Sequence, residues 1–234
     1  MSKHLLLVGG SSGIGLATAK KLLAAGHRLT AAARNPAPLA AMGIPVQSFD
    51  ALVPELDPSG LPDRLDGLVY FPGTIQLKPF HRLTAEDFLN DLRVNCLGAV
   101  SAIQAALPAL KQSGSASVVL FSTVAVAQGM PFHASIAAAK GAVEGLARSL
   151  AAEFAPIIRV NVIAPSLTDT PLAAPLLNSD AKREAAAKRH PLQRVGSADE
   201  VAEMVAFLLS DASKSMSGQV FRPDGGLSSI RLFA

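Results

Sequence analysis

The chain has 234 residues, half of them apolar, and a formal net charge of only +3. This length allows one large domain or two small ones with a sizeable core, and the composition is not that of a disordered chain. The basic residues are scattered and aromatic residues make up 5% of the chain, which argues against a nucleic-acid partner.

Cys96 is the only cysteine, so the chain forms no internal disulfide and no thiolate zinc site, and no metal site is expected. The apolar run at residues 5–8 is too short for a signal peptide. No uninterrupted apolar stretch reaches the ~18 residues of a membrane span. We therefore expect a cytoplasmic protein without a membrane partner.

Short apolar runs alternate along the chain with longer segments of helical periodicity. Strands are predicted at residues 5–8, 29–33, 44–49, 68–71, 117–121, 157–163 and 219–221. Helices are predicted at about 14–25, 84–111, 133–154 and 197–210, with a further helical stretch near 180–190. This alternation predicts an α/β fold, a doubly wound parallel sheet of about seven strands with helices on both faces. No repeat or linker divides residues 1–234, which are predicted to form a single domain.

A glycine-rich turn, GGSSGIG at residues 9–15, joins the first predicted strand directly to the first predicted helix. Glycine permits the tight turn and the close approach of the backbone to a pyrophosphate, which binds at the helix N-terminus. A glycine-rich turn alone is weak evidence, since it also occurs as a plain turn, but the strand–turn–helix order is that of Rossmann-type dinucleotide sites. The predicted cofactor contacts are Gly9, Ser11, Ser12, Gly13, Ile14 and Gly15.

Arg34 follows the second predicted strand, where an NAD-specific site usually carries an acidic residue for the ribose 2′-hydroxyl. Ala33 stands in place of that carboxylate. A guanidinium pairs with a 2′-phosphate through forked, charge-assisted hydrogen bonds. The pattern therefore favours NADP(H) over NAD(H). The alternative is that Arg34 is an ordinary solvated charge after a strand.

Later motifs, taken with the turn at residues 9–15, resemble the classical short-chain dehydrogenase/reductase family over essentially the whole chain. The matching segments are Asp50-Ala51, Val94-Asn95-Cys96, Ser122-Thr123-Val124-Ala125, Asn161-x-x-Ala164-Pro165-Ser166-x-x-x-Thr170 and Pro223-Asp224-Gly225-Gly226, and Gly73 alone is kept from the family's Asn-Asn-Ala-Gly. The resemblance implies further cofactor contacts at Asp50, Ala51, Gly73, Asn95, Lys140, Pro165, Ser166, Leu167 and Thr170.

The chain departs from the family at its catalytic tyrosine. The family's Tyr-x-x-x-Lys pair reads Ile136 to Lys140 here, with the lysine present and the tyrosine absent. In the family, hydride moves between nicotinamide and a carbonyl carbon while the tyrosine exchanges a proton with the oxygen. The lysine lowers the tyrosine pKa and holds the nicotinamide ribose. A positioned acid–base group is worth about 10²–10⁴ in rate. Tyr70, the only tyrosine, belongs to the turn after the fourth strand.

Two residues are candidates to compensate for the tyrosine. His133 stands seven residues before Lys140, the Tyr-x₆-Lys spacing of related enoyl reductases, and an imidazole exchanges protons near pH 7. Thr123 offers a hydroxyl to a developing oxyanion. The alternatives are that His133 is a polar residue at a helix start and that Thr123 bonds its own backbone. Lys140 is interpreted as a ribose contact, with a solvated helix charge as the alternative.

The helix predicted at 133–154 is rich in Ala and Gly, which allows another helix to approach closely. The resemblance implies that it pairs across a two-fold axis together with the 84–111 helix, so a homodimer or homotetramer is expected. The alternative is that it only packs on the sheet.

Residues 171–196 correspond to the family's mobile lid over the substrate. The apolar candidates Met130, Phe132, Leu172 and Leu176 predict a small, mainly apolar substrate. The basic residues of the segment suit a substrate linked to coenzyme A or an acidic carrier protein, or form a solvated helix face; they are Lys182, Arg183, Lys188, Arg189 and His190.

These features together predict an NADP(H)-dependent reductase of an activated carbonyl or conjugated acceptor. The candidate catalytic residues are Asn95, Thr123, Lys140 and His133. The alternative is a catalytically inactive dinucleotide-binding sensor or scaffold subunit of the same fold.

Overall fold

A computed structural model describes residues 2–232 of the chain. In chain order its strands are His4–Val8 (β1), Arg28–Ala33 (β2), Val46–Ser48 (β3), Gly67–Tyr70 (β4), Ala116–Phe121 (β5), Ile158–Ile163 (β6), Thr168–Asp169 (β7), Gly196–Ser197 (β8) and Val220–Phe221 (β9). Seven of these form one parallel sheet in the order β3-β2-β1-β4-β5-β6-β9, while β7 pairs with β8 separately. The predicted seven-stranded parallel sheet is confirmed.

Helices flank the sheet. They are Gly13–Ala24 (α1), Ala37–Ala40 (α2), Ala85–Leu92 (α3), Gly98–Ser113 (α4), Val124–Ala127 (α5), Ala134–Phe154 (α6), Asp180–Lys188 (α7) and Ala198–Leu209 (α8). A π-helical segment, Arg93–Leu97, joins α3 to α4, and short 3-10 turns occur at Pro58–Gly60, Phe80–Arg82, Pro171–Leu176 and Asp211–Ser213. The short helices α2 and α5 and the short pair β7–β8 were not predicted.

The predicted 84–111 helix is therefore interrupted, and its side chains explain why. The Asn95 side-chain amide donates to the Asp91 carbonyl at 2.7 Å, the acceptor that a regular helix would pair with the Asn95 backbone N–H. The Tyr70 hydroxyl donates to the Val94 carbonyl at 2.6 Å. Side chains inserted into the backbone ladder produce such π segments, which are frequent at functional sites.

Apolar residues cover both faces of the sheet because side chains alternate along each strand. In β1, Leu6 packs with α4 and α6 on one face, while Leu5 and Leu7 pack with α1 and α8 on the other. The continuous apolar strands of the sequence thus reflect burial on two faces, as in other parallel sheets.

The helical run Ala85–Ser113 is long and apolar enough, by length and composition alone, to cross a membrane. A core helix meets the same criterion. Half of this run's most apolar window is buried, and its buried apolar residues belong to the core cluster on one face of the sheet.

The strand order places a topological switch point between β1 and β4. From β1 the chain proceeds to β2 and β3 on one side, and then crosses to β4 and β5 on the other. In open α/β sheets, ligands bind in the crevice at such a point, outside the carboxyl ends of the strands. We therefore expect a ligand-binding site at this edge of the sheet.

Candidate functional site

The turn after β1 requires glycine at several positions. Gly9 and Gly13 have positive φ angles of 80° and 50°, which side chains other than glycine rarely adopt. A Cβ on Gly9 would lie 2.7 Å from the Pro72 Cδ atom, and one on Gly15 would lie 2.7 Å from the Gly10 Cα atom. The turn therefore packs against the segment after β4 and against itself with no room for side chains.

The N-terminus of α1 faces this turn with its backbone N–H groups. Ser12 occupies the N-cap position, and within residues 2–232 its side chain makes no cap hydrogen bond. The first turn of α1 also carries no acidic residue. Free N–H groups and the positive end of the helix dipole suit an anion such as a phosphate. The remaining turn candidates, Ser11 and Ile14, lie half-buried beside it.

Arg34 lies exposed immediately after β2, at the same edge of the sheet. The Gly9 N–H donates to the Ala32 carbonyl at 2.8 Å, so the end of β2 adjoins the glycine turn. Ala33 is buried. Across the described part of the chain, Arg34 has no ion pair, and its guanidinium is available to an incoming anion.

Asp50 and Ala51 follow β3. The Asp50 carboxylate accepts from the Leu52 N–H at 3.0 Å and so shapes its own turn. Ala51 is buried, and its Cβ lies 3.5 Å from the place a Cβ on Gly98 would take. Asp50 and Ala51, both predicted as cofactor contacts, are thus held at the edge of the sheet that carries the glycine turn.

Tyr70 is a core residue and not a group of the crevice. It is 2% exposed, and burial raises the pKa of its phenol well above the ordinary value. Its hydroxyl is donated to the Val94 carbonyl. A Cβ on Gly98 would lie 2.1 Å from that hydroxyl oxygen. Tyr70 therefore fixes the π segment that carries Asn95 and supplies no proton to a substrate.

Asn95 lies fully buried at the centre of a polar cluster after β4. Its Nδ2 donates to Thr74 Oγ1 at 2.9 Å and to the Asp91 carbonyl at 2.7 Å. Thr74 in turn donates to Asp91 Oδ1 at 2.6 Å. Asn95 Oδ1 and Asp91 Oδ2 are buried and have no hydrogen-bond partner among the described residues. Buried polar atoms of this kind call for an explanation, such as a bound ligand or water.

Lys140, on α6, is brought to the same cluster. It is 6% exposed, and its Nζ donates to the Phe121 carbonyl at 2.9 Å. Burial lowers the pKa of the ammonium to about 8, although the charges of Asp91 and Cys96 oppose that shift. A buried ammonium of this kind is not the solvated helix charge that was the alternative interpretation.

Gly73 lies between Asn95 and Lys140. A Cβ at this position would lie 3.2 Å from Asn95 Oδ1 and 3.4 Å from Lys140 Nζ. The structure therefore brings together Gly73, Asn95 and Lys140, which the sequence places in three different segments. Thr74 and Asp91 were not predicted. The only signal was the position of Asp91 one helical turn before Asn95.

Thr123 ends β5 as the N-cap residue of α5. Its Oγ1 accepts from the Ala125 N–H at 3.3 Å, as in the alternative interpretation, and leaves the hydroxyl proton free to be donated. The preceding Ser122 points elsewhere, because its Oγ donates to the buried Glu144 carboxylate at 2.8 Å. Of these two hydroxyls, Thr123 is the one not committed to a carboxylate.

Ile136 and His133 lie on the first turn of α6. Ile136 is 5% exposed, one turn before Lys140. His133 is half-buried at the N-cap position, and its Nδ1 donates to the Pro131 carbonyl at 2.7 Å. The neutral imidazole therefore presents a proton acceptor at Nε2, and only the protonated ring donates from that atom.

The segment after β6 is tied to the glycine turn and to α7. A Cβ on Gly13 would lie 3.3 Å from the Thr170 Cβ atom, so Thr170 borders the turn. The buried His190, which was predicted only as part of a basic group, bonds the Ala186 carbonyl through Nδ1 at 2.8 Å and Ser166 Oγ through Nε2 at 2.9 Å. Since the carbonyl accepts, Nε2 accepts from the serine hydroxyl. Pro165 and Leu167 flank this bond.

Residues 171–196 connect β7 to β8, which pair with each other in parallel apart from the seven-stranded sheet. Two of the basic residues form ion pairs. Arg183 pairs with Asp169 at 2.7 Å, and Lys188 pairs with Glu184 at 2.6 Å. Leu172 is 51% exposed. Residues 171–196 thus present an exposed apolar side chain, that of Leu172, together with basic residues whose charges are partly neutralised by ion pairs.

Phe132 adopts a backbone conformation that is unusual for its residue type. Its φ angle is +68°, and it is 55% exposed. The Lys78 N–H donates to its carbonyl at 3.2 Å. Bulky residues with positive φ store strain and cluster at functional sites. Met130 and Leu176, the other apolar candidates, are half-buried.

Comparisons with known proteins cover almost the whole chain and agree with one another. A family profile described as enoyl-(acyl carrier protein) reductase matches residues 8–228. A tropinone reductase homolog of Arabidopsis thaliana is 36% identical over 239 residues, which are 95% of this chain and 91% of that protein. Aldohexose dehydrogenase of Thermoplasma acidophilum, in its ligand-free form, has a TM-score of 0.91 at 27% identity, covering 100% of this chain and 96% of its own. ElxO with NADP bound has a TM-score of 0.88 at 24% identity over 98% and 100% of the two chains, a likeness of fold alone.

Proposed function

Because the chain belongs to the short-chain dehydrogenase/reductase family, we propose that this oxidoreductase is NADP(H)-dependent and reduces an activated carbonyl or conjugated acceptor. The observation that carries the proposal is the convergence at one switch point of a tightly packed glycine-rich turn with the buried Asn95–Lys140 cluster. The first suits the phosphates of a dinucleotide, and the second suits its nicotinamide end.

The residues present fit a dinucleotide. The glycine turn leaves no room for a Cβ but exposes the N–H groups of α1 to an anion. Asn95 Oδ1 offers an unused buried acceptor, and Lys140 uses one of its three donors. We assign the phosphates to residues 9–15, the 2′-phosphate to Arg34 and the nicotinamide ribose to Lys140. ElxO carries NADP on this same fold.

When bound, the cofactor supplies a hydride and the protein must supply the rest. Thr123 donates its hydroxyl proton as a hydrogen bond to the oxygen that gains charge. Ile136 neither donates nor accepts a proton. The proton therefore comes from solvent or from protonated His133, which favours acceptors whose anion is already stabilised, such as enones. The exposed apolar side chains of Phe132 and Leu172 suit an apolar substrate.

Stopped-flow measurement of NADPH oxidation against matched ketones and enones tests the proposal. We expect turnover of activated acceptors, a loss of about 10-fold or more in Thr123→Ala, and unchanged NADPH binding by that variant. The same measurement on His133→Ala separates solvent from imidazole as the proton source. Turnover of simple ketones at high rates that neither substitution reduces would overturn the mechanism.

A second candidate, a dinucleotide-binding subunit without catalysis, is favoured by the buried aliphatic Ile136 at the tyrosine position. Restoring the family's group as Ile136→Tyr, one turn before Lys140, distinguishes the two. An inert wild type and an active variant would establish the second candidate. Multiple turnovers by pure wild-type protein would exclude it.

We also propose a homodimer or homotetramer that pairs through α6. One face of this helix carries the exposed small residues Ala138, Ala142 and Gly145, and a Cβ on Gly145 would meet no atom within 4 Å. Small residues let helices approach closely, and C2 pairing brings the same face of two copies together. Light scattering of wild type and Gly145→Arg tests this, since a wild-type monomer would contradict it.

A further inference from the structure

The buried carboxylate of Asp91 lies beside the nicotinamide end of the site, and neither the family motifs nor the mechanism above uses it. We propose that Asp91 is a positioning residue that holds Lys140 in its charged form and so sets the pH range over which the site binds its cofactor. The inference rests on the proposed function in taking Lys140 as the contact to the cofactor ribose.

Asp91 is built into a fixed network. It is 1% exposed, and its Oδ1 accepts from Thr74 Oγ1 at 2.6 Å. Thr74 Oγ1 accepts from Asn95 Nδ2 at 2.9 Å, so the orientation of each group is determined by the next. Asp91 Oδ2 has no hydrogen-bond partner among residues 2–232. A nearby positive charge stabilises a buried carboxylate that has an unused oxygen.

Lys140 is the complementary group. Its Nζ is buried and uses one donor on the Phe121 carbonyl, which leaves two. Because Gly73 has no side chain, the space within 3.4 Å of its missing Cβ is bordered by Lys140 Nζ and by Asn95 Oδ1. The Lys140 ammonium, with its spare donors, and the unused acceptor of Asn95 thus border one small space, which a Cβ at Gly73 would fill.

Asp91 is the acidic residue that acts on this ammonium. Two titratable groups act on Lys140, Asp91 from α3 and Cys96 from the π segment. Burial raises the pKa of the Cys96 thiol, so that the thiol is uncharged near pH 7. Of the two groups, Asp91 is therefore the one that favours the charged ammonium.

The other elements packed against α6 do not compete for Lys140. Strand β5 and helix α5 contain no titratable residue. Arg159, the charged residue of β6, donates to the Ser213 carbonyl at 2.9 Å and to Leu208 at 3.0 Å. Glu144, on α6 itself, accepts from Ser122 at 2.8 Å and lies 3.9 Å from Arg148.

The chain offers a matched control one turn earlier on α3. Asp87 accepts from Gln76 at 2.6 Å and from Lys78 at 2.7 Å, and so ties the same loop to the same helix as Asp91 does through Thr74. Asp87 is not among the groups that act on Lys140. Loss of a structural tie and loss of the charge next to Lys140 can therefore be separated.

The test is a ¹³C NMR titration of the Lys140 Cε resonance in the cofactor-free protein, assigned by its absence from Lys140→Met. We expect a wild-type midpoint near 8 and a midpoint lower by about one pH unit or more in Asp91→Asn. Asp87→Asn should leave the midpoint within a few tenths of a unit, and Asp91→Glu should restore it. A folded Asp91→Asn protein with an unmoved midpoint overturns the proposal, as does an equal shift in Asp87→Asn.

Calorimetric titration of NADPH over the same pH range tests the consequence for binding. Affinity should fall above about pH 8 in the wild type and at a correspondingly lower pH in Asp91→Asn. An Asp91→Asn shift seen by NMR in a protein that binds no NADPH would overturn the proposed function while the charge linkage stands. Binding of NADPH with identical pH profiles in both proteins would overturn the role of Asp91.

If Asp91→Asn does not fold, the double variant Asp91→Asn/Lys140→Met provides the test. If the unpaired Lys140 ammonium is what prevents Asp91→Asn from folding, the double variant folds, and this result supports the proposal. A double variant that also fails to fold shows that Asp91 acts independently of Lys140 and overturns it.

Discussion

The two ends of the proposed cofactor site are built by opposite means. At the phosphate end, the turn at residues 9–15 works through the absence of side chains and the presence of free backbone N–H groups. At the proposed nicotinamide end, the side chains of Thr74, Asp91 and Asn95 are bonded to one another, and Lys140 donates to the Phe121 carbonyl. The first end is therefore sensitive to any added atom, whereas the second is sensitive to any lost charge or hydrogen bond.

The largest effect should come from adding one methyl group at the phosphate end. A Cβ on Gly15 would lie 2.7 Å from the Gly10 Cα atom, a backbone atom that cannot rotate away. Gly15→Ala should weaken NADPH binding by at least about 100-fold, roughly 3 kcal/mol. Calorimetry measures the loss. Gly129→Ala is the control, because a Cβ there meets no atom within 4 Å, and it should bind as the wild type does.

Removing one charge from the phosphate end should have a smaller and more selective effect. Arg34→Ala should weaken NADPH by about 10- to 100-fold, since a charge-assisted contact is worth about 1.5–3 kcal/mol, and should leave NADH nearly unchanged. Arg28, exposed at the opposite end of β2, supplies the control substitution Arg28→Ala. Equal losses for NADH and NADPH would contradict the assignment of Arg34.

At the nicotinamide end, Lys140 should make stability depend on pH. Its folded-state pKa of about 8 lies below the ordinary 10.5, so the unfolded chain binds more protons between these values and stability contributed by Lys140 rises with pH there. The melting temperature of wild type relative to Lys140→Met should therefore increase by several degrees from pH 8 to 10. Lys111→Met, at the last turn of α4, should show no such trend. A flat difference for Lys140→Met would show that its pKa is not lowered.

The smallest effect concerns the bond that ties the segment after β6 to the end of α7. Ser166→Ala removes the donor to the buried His190 and should cost about 1 kcal/mol, or about 2–4 °C in melting temperature. NADPH binding should change by less than about 10-fold. Differential scanning calorimetry and cofactor titration measure both. A loss of cofactor binding with no change in melting temperature would mean that Ser166 contacts the cofactor itself.

The same contrast explains what could be predicted from the sequence. The seven strands and the glycine turn follow from local signals, namely apolar runs of strand length and glycines between a strand and a helix. The predicted helix at 84–111 lacked its interruption at Arg93–Leu97, because that segment depends on a hydroxyl from β4 and on the Asn95 side chain. Such bonds join residues that are distant in sequence.

The buried Asn95–Lys140 cluster was predicted only in part for the same reason. Asn95 and Lys140 belong to motifs that can be read locally, whereas Thr74 and Asp91 have no motif and acquire their meaning from the packing of α3 on α6. His190 was grouped with exposed basic residues because Lys188 and Arg189, which precede it in the sequence, are also basic. The fold instead buries it against Ser166.

A crystal structure of the protein with NADPH bound tests the central claim most directly, since it locates both ends of the cofactor at once. We predict the pyrophosphate on the turn at residues 9–15, the 2′-phosphate on the Arg34 guanidinium and the nicotinamide ribose within hydrogen-bonding distance of Lys140 Nζ. A dinucleotide whose 2′-phosphate makes no contact with Arg34, or whose nicotinamide half lies away from Lys140, would contradict the account.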